Sequence, residues 1–576
     1  GHTQRPWLVP LSATEASPFG PSSQGWRISE VQDAKAKANA ETSNGEADET
    51  VICHVAADGF EERMVPFPVP SGSYRDLAVV KDGVVWIEVA DRGGELGATR
   101  AGVTGEAPSD VLWHYNLSAR HLDKLCERVD TFSVSGDGER LVVRHRDDTI
   151  VVPSSHKVDD DDPAYIRVDL TRLRRTVNPR AEWRQMFDEN GRLMASHYWR
   201  EDMNGVDWDS VLNRYRPLVD LCHVVDDLHD ILWETVAELN TSHSYVSASG
   251  AAGDSDMRAG LLGADVSSGN DGAKVVRVIP GESSDPRAWS PLRAAGVAVT
   301  EGDVIVAVDG RKVGADGNLG ELLEGSAGRV VELTVRRGEN ERQVAVVPMA
   351  DEAPLRYHDW VASRRRYVEE HSGGRLGYLH VPDMVSDGWA ELHRQIGEAT
   401  RHEGVIADVR FNHGGHTSQL VVERLARRVV GWDYSRWYAT ADTYPQNAVR
   451  GPIVMVTNQW AGSDGDIVAA ATQAMGYAKV IGERSWGGVV GIDGRFDLVD
   501  GTSVTQPRYA GWYGSYGWGV ENHGVDPDIV VTVSPEDWEA DRDVQLDAAI
   551  AECLRQLDDK PAATAPELPG PAFDRC

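Results

Sequence analysis

Cysteine is scarce and scattered in this 576-residue chain. Cys53, Cys126, Cys222, Cys553 and Cys576 are odd in number and form no Cys-x-x-Cys pair. That spacing speaks against a disulfide framework or a zinc knuckle and reads as reduced thiols of a cytoplasmic protein. Long apolar runs are missing too, and none approaches the ~20 residues of a membrane helix. The first residues, Gly1-His2-Thr3-Gln4, carry neither a basic n-region nor an apolar h-region, so a secretory leader is not expected. Positive charge is short: 58 Lys and Arg against 91 Asp and Glu leave a formal charge of −33. Such a balance disfavours nucleic acid and anionic lipid as partners and mildly attracts basic peptides. Part of the acidity is local, because Asp159-Asp-Asp-Asp162 reads as a solvated linker rather than a metal site.

What is present suggests about four domains, from a prior of roughly 150 residues each. Residues 1–155 hold short strand-like runs separated by Gly and Pro, among them Val84-Val-Trp-Ile-Glu88 and Arg140-Leu-Val-Val-Arg144. They resemble the end of a β-propeller-like domain. Ala34–Thr50, rich in Ala, Asn, Glu and Gly, reads as a mobile loop. Residues 156–254 turn helical, with apolar side chains at helical spacing in Arg184–Arg200 and Asp226–Leu239. Residues 255–350 are strand-rich and resemble a protease-associated PDZ domain, with Gly260-Leu-Leu-Gly263 at the loop that would receive a peptide C-terminus. That module would bind a peptide or serve only to position or gate. Residues 351–576 alternate strands (Leu376–Val381, Val405–Val409, Ile453–Thr457, Lys479–Ile481) with helices (Trp389–Thr400, Ser418–Val430, Asp466–Met475). This alternation predicts an α/β sheet with ligands at the carboxyl ends of its strands.

Chemistry concentrates in that last region. Pro452-Ile-Val-Met-Val-Thr457 runs into Asn458-Gln-Trp-Ala-Gly-Ser-Asp-Gly-Asp466, which sets Ser463 at a strand-to-helix bend. A helix N-terminus favours negative charge there, so Ser463 is either a nucleophile or a plain N-cap. Val409-Arg-Phe-Asn-His-Gly-Gly-His416 leaves a strand into a turn where Gly414 or Gly415 could offer an oxyanion N–H beside that of Asp464; the alternative is an ordinary loop. His413 and His416 lack a third metal ligand. His243, in Leu239-Asn-Thr-Ser-His243, is a candidate base or merely a helix cap, and Glu521 stands between glycines in Gly519-Val-Glu-Asn-His-Gly524. Asp526-Pro-Asp528 reads as turn chemistry.

Taken together, Gly462-Ser-Asp-Gly, Asp408-Val-Arg-Phe-Asn-x-Gly-Gly, Gly519-Val-Glu-Asn-x-Gly-Val-x-Pro-Asp and Thr241-Ser-His resemble the tricorn protease family, relatives of the C-terminal processing peptidases. The resemblance covers about residues 180–555 and implies a multidomain α+β chain: a partial β-propeller region, a helical domain, a PDZ-like module and an α/β serine peptidase core. It further implies Ser463 as nucleophile, His243 as base, Ser242 linking His243 to Glu521, and Asp464 with Gly415 or Gly414 as oxyanion donors. An acidic residue in the primary pocket, Asp433, would favour basic side chains. The C-terminal processing branch uses a lysine where this chain has Glu483-Arg-Ser-Trp-Gly-Gly-Val489, so a Ser–Lys mechanism is disfavoured. The implied activity is hydrolysis of short unfolded peptides, such as products of ATP-dependent proteases, without metal or nucleotide cofactor. A homohexamer in the cytoplasm, working beside downstream aminopeptidases, is implied as well. The rival readings are a non-catalytic ligand- or peptide-binding protein on the same core, a PDZ-led adaptor or scaffold, and a Ser–Lys tail-specific protease.

Overall fold

Short apolar runs broken by turn residues become two four-stranded antiparallel sheets in the first part of the chain. One is Tyr74–Val80, Gly83–Glu88, Val111–Asn116 and His121–Glu127; the other is Thr131–Val134, Arg140–His145, Asp148–Pro153 and Ile166–Val168. Their inward residues, including Val85, Ile87, Leu112, Leu141 and Val143, form one apolar cluster. Each sheet has the strand count of a propeller blade, and the described residues contain no closed propeller. The computed structural model describes residues 4–11, 19, 55–58, 60–90, 109–146, 148–248, 257–314, 318–437, 439–493 and 496–568. The loop expected at Ala34–Thr50, Cys53 and Cys576 lie outside them. The chain divides into one unit of Gly1–Gly94 with Thr104–Thr176 and a second of Glu95–Val103 with Val177–Cys576.

The second unit begins with three helices: α1 (Pro179–His197), α2 (Trp208–Val219) and α3 (Val225–Ala237). Asn178 caps α1 by accepting the Ala181 N–H, and Asp207 caps α2 in the same way at Ser210. Met186, Phe187, Leu228 and Leu232 pack between α1 and α3 with Val246 and Val504. A six-stranded antiparallel sheet follows in the order Ala264–Gly269, Gly272–Val278, Val304–Val308, Val331–Arg337, Asn340–Val346, with Arg311–Lys312 paired to Val304–Val308 off that path. It is closed around Val275, Ile305, Leu333 and Val335.

The remainder is a parallel sheet in sequential order: β1 (Leu376–His380), β2 (Gly404–Asp408), β3 (Ile453–Thr457), β4 (Ala478–Gly482) and the short β5 (Ile529–Val530). Every residue of β1, β2 and β3 is buried, which is why these strands read as continuous apolar runs and do not alternate. Helices α4 (Ala353–His371) and α8 (Val544–Asp559) cover one face through Val361, Val368, Leu546 and Ile550. Helices α5 (Ser386–Ala399), α6 (Ser418–Leu425) and α7 (Asp464–Met475) cover the other through Leu392, Val421 and Val468. Helix α6 is shorter than the expected 418–430. Its chain leaves the helix because Arg428 bridges to Val449 and Gly431–Asp433 pairs with Asp442–Tyr444. β2 and β3 pair in parallel register, Asp408 opposite Val456, so the loops after them leave the same edge of the sheet side by side.

Candidate active site

Ser463 ends the loop after β3 and opens α7 with φ 57° and ψ −119°. That bend turns the first N–H groups of α7 toward the serine. Those of Gly465, Asp466 and Ile467 are taken by the carbonyls of Gly462 and Ser463 at 2.8–3.1 Å, and the Asp464 N–H has no acceptor among the described residues. The Asp464 side chain faces the other way: its buried carboxylate accepts the Ser418 N–H at 2.9 Å and the Ser418 hydroxyl. Burial raises its pKa, and the bonds from Ser418 oppose that shift.

The loop after β2 is rooted by Arg410, a buried guanidinium held by Asp408 at 2.7 Å and Asp543 at 2.7 Å. Its tip lies against the Ser463 side chain and the Gly462 carbonyl. A Cβ on Gly414 would lie 2.5 Å from Ser463 Cβ, so only glycine allows the approach. The side chain of Asn412, fully buried, accepts the Gly414 N–H at 2.9 Å and donates to the Val381 carbonyl at 2.7 Å. Of the two expected glycine donors, Gly414 is therefore engaged, whereas the Gly415 N–H makes no hydrogen bond among the described residues. Gly415 has φ 146°, and a side chain there would strike the Met384 carbonyl.

His243 lies past the end of α3 at φ 60°, its carbonyl accepting from Thr505 Oγ1. Ser242 Oγ sits 3.0 Å from His243 Nδ1 and 3.0 Å from Glu521 Oε2. Glu521 also accepts N–H bonds from Ser242 at 2.7 Å, Val489 at 2.8 Å and Val490 at 3.1 Å. These bonds fix the tautomer. An ionised carboxylate only accepts, so the single Ser242 proton points at Glu521, and Ser242 Oγ must receive a proton from His243 Nδ1. The lone pair of neutral His243 then lies on Nε2. Burial lowers the imidazole pKa below its ordinary value, and the Glu521 charge partly offsets that.

No hydrogen bond joins Ser463 and His243 among the described residues. His243 and Gly462, the residue before Ser463, both lie against Trp486, which no motif marks. Its ring packs on Gly462, where a Cβ would lie 2.6 Å from the indole, and meets the His243 ring edge-on with centroids 5.3 Å apart. The Trp486 N–H donates to the Ala461 carbonyl at 3.0 Å. The turn that carries it is clamped twice. Asp466, buried in the first turn of α7, accepts from Ser485 Oγ and from the Gly487 N–H at 2.8 Å, and Glu521 takes Val489 and Val490. Burial raises the Asp466 carboxyl to about 6. The only advance signal was the paired glycine of Ser485-Trp-Gly-Gly488.

Cavities of about 620 and 370 Å³ share Trp486 and Asn522 in their walls; Arg484 and His523 line the first, Asn240 and Ser242 the second. Asp433 shares no hydrogen bond with Ser463, His243 or Glu521 among the described residues. It is exposed on the Gly431–Asp433 hairpin strand, opposite Asp442. Asp528 accepts the Val480 N–H at 2.8 Å, a structural role. Among the described residues no group of three or more His, Cys, Asp or Glu could hold a metal ion, and no helix is long and apolar enough to cross a membrane.

Residues 375–531 match peptidase family S41, 260–351 match the tricorn protease PDZ domain, and 179–237 match the tricorn protease C1 domain. The chain belongs to the tricorn protease family. It is 53% identical to tricorn protease homolog 1 of Streptomyces coelicolor, over 98% of this chain and 52% of that protein. Identity to the tricorn protease of Thermoplasma acidophilum is 34%, over 86% of this chain and 46% of the relative. The crystal structure of the tricorn protease superposes with a TM-score of 0.81 at 31% identity, covering 96% of this chain and 51% of that one. The chain thus spans about half the length of the curated relatives it matches.

Proposed function

We propose that this chain carries the catalytic site of a tricorn-type serine peptidase. The observation that carries the reading is the Glu521–Ser242–His243 relay, which leaves Nε2 of a neutral imidazole as the available base. Ser463 Oγ attacks the peptide carbonyl carbon while His243 Nε2 takes the hydroxyl proton. The tetrahedral oxyanion is met by the N–H groups of Asp464 and Gly415. Collapse expels the amine, which receives the proton from His243 Nε2 and leaves an acyl ester on Ser463. Water, deprotonated by His243, then hydrolyses that ester. Ser463 and His243 come within hydrogen-bond reach as substrate enters, since such bonds commonly tighten only in the substrate complex.

The substrates we propose are short unfolded peptides, such as products of larger ATP-dependent proteases, and Asp433 is the proposed acid that selects basic side chains before the scissile bond. Assembly as a homohexamer, the completed propeller, a cytoplasmic location and supply of downstream aminopeptidases belong to the same proposal. Intact-mass spectrometry with a peptidyl chloromethyl ketone bearing a basic residue at the cleavage position tests it. The expected result is one adduct on wild type and none on Ser463→Ala or His243→Ala. No adduct on wild type with either basic or apolar reagents would favour the binding-protein reading instead. Labelling that survives His243→Ala would favour a different base.

A further inference from the structure

Gly260–Gly263 leads into Ala264–Gly269, an edge strand that pairs only with Gly272–Val278 among the described residues. In a PDZ-like sheet an incoming peptide adds along such an edge, and its terminal carboxylate is captured by backbone N–H groups of the loop. Here a carboxylate is already in place. The Gly263 N–H donates to Glu352 Oε1 at 2.7 Å. Two neighbouring donors are also spent, Gly260 on the Leu323 carbonyl at 2.8 Å and Leu261 on the Met349 carbonyl at 2.8 Å, which leaves the Leu262 N–H without an acceptor among the described residues.

Glu352 is fixed in that position from its own side. Arg356 Nε holds Glu352 Oε2 at 2.7 Å, and Arg356 Nη1 reaches Asp265 on the edge strand at 2.9 Å. One turn into α4, Leu355 is fully buried against Ile279 and Ala288. Asp359 takes Arg277 through both oxygens at 2.8 and 2.5 Å. A carboxylate on the loop with an apolar side chain buried beside it is the chemistry of a peptide C-terminus, supplied from within.

We infer that Glu352 is an internal ligand of the PDZ-like module and keeps its carboxylate seat closed to peptide C-termini. The inference does not depend on the peptidase reading. It also gives the seat a route to the core: Trp360, two turns along α4, packs edge-on against His380 and Phe411, and Phe411 begins the loop that carries Gly414 and Gly415.

The test uses the full chain with Ser463→Ala, so that probes are not cleaved, and adds Glu352→Leu or Glu352→Ala, neither of which can accept the Gly263 N–H. Two fluorescein-labelled hexapeptide pools, randomised at the last three positions, are compared by anisotropy: one with free C-terminal carboxylates, one amidated. The Glu352 protein should not distinguish the pools, and both variants should bind the free-acid pool about tenfold or more tightly than the amide pool. Hydrogen exchange at Gly263 should accelerate in both variants, while melting shows that they fold. Equal preference for free acids with Glu352 intact would overturn the inference. So would variants that gain no preference, or unchanged exchange at Gly263. Should Glu352→Ala fail to fold, Glu352→Leu decides alone.

Discussion

In the proposed mechanism, a single proton on Ser242 determines which nitrogen of His243 acts as the base. Replacing Ser242 with alanine leaves His243 and Glu521 in the chain and removes the constraint on the tautomer, and the expected cost is a fall in kcat of about one to three orders of magnitude with KM little changed. Loss of Ser463 or His243 themselves should lower turnover by roughly 10³-fold or more. The burial of His243 has its own signature in pH. Because its pKa is lowered, the base persists into more acid solution, and the acid limb of kcat/KM should have its midpoint below the ordinary imidazole value of 6.5. Trp486→Ala admits water to the ring, and the limb should move up toward 6.5, whereas Trp486→Phe should hold it near the wild-type position. A limb unmoved by Trp486→Ala would deny the indole that part.

At the scale of elements, α7 and the 485–490 turn are joined by a buried carboxylate. The Asp466 pKa is raised from 3.8 to about 6, so its contribution is fully present below pH 3.8 and is lost as pH rises through 6. A shift of that size corresponds to about 3 kcal/mol. Urea unfolding of wild type and Asp466→Asn between pH 4 and 7 should show the gap moving in the variant's favour by an amount of that order. A constant gap would mean Asp466 titrates normally. The parallel strands were legible in the sequence because burial on both faces leaves unbroken apolar runs such as Ile453–Thr457. The end of α6 was not, since it is set by the bridge from Arg428 to Val449, a pairing between distant segments. The same holds at the site. Ser463 and the glycine pair announce themselves locally, but His243 and Glu521 lie 278 residues apart and are joined only by the resemblance or by the fold. The Asp466 clamp and the engagement of Gly414 by Asn412 carry no motif and emerge only from geometry.

For the molecule as a whole, the charge of −33 acts on encounter rather than on fold. For a peptide with two or three basic residues, kcat/KM should fall several-fold as salt rises from about 0.01 to 0.5 M, because the Debye length shrinks from about 30 Å to a few ångströms. A neutral peptide of equal length should show almost no change. Equal salt sensitivity of the two would place the effect in the protein's structure instead of in steering.

Ser463 itself is held where side chains are least at ease. At φ 57° and ψ −119° an L residue is disfavoured by about 1–3 kcal/mol, whereas glycine adopts the conformation freely. Two inactive proteins that differ by one methyl group should therefore differ in durability, with Ser463→Gly melting above Ser463→Ala. The first should also match or exceed wild type. Here the chain retains a less restful residue than the backbone would choose, and the nucleophilic role proposed for the hydroxyl would be the physical reason to keep it.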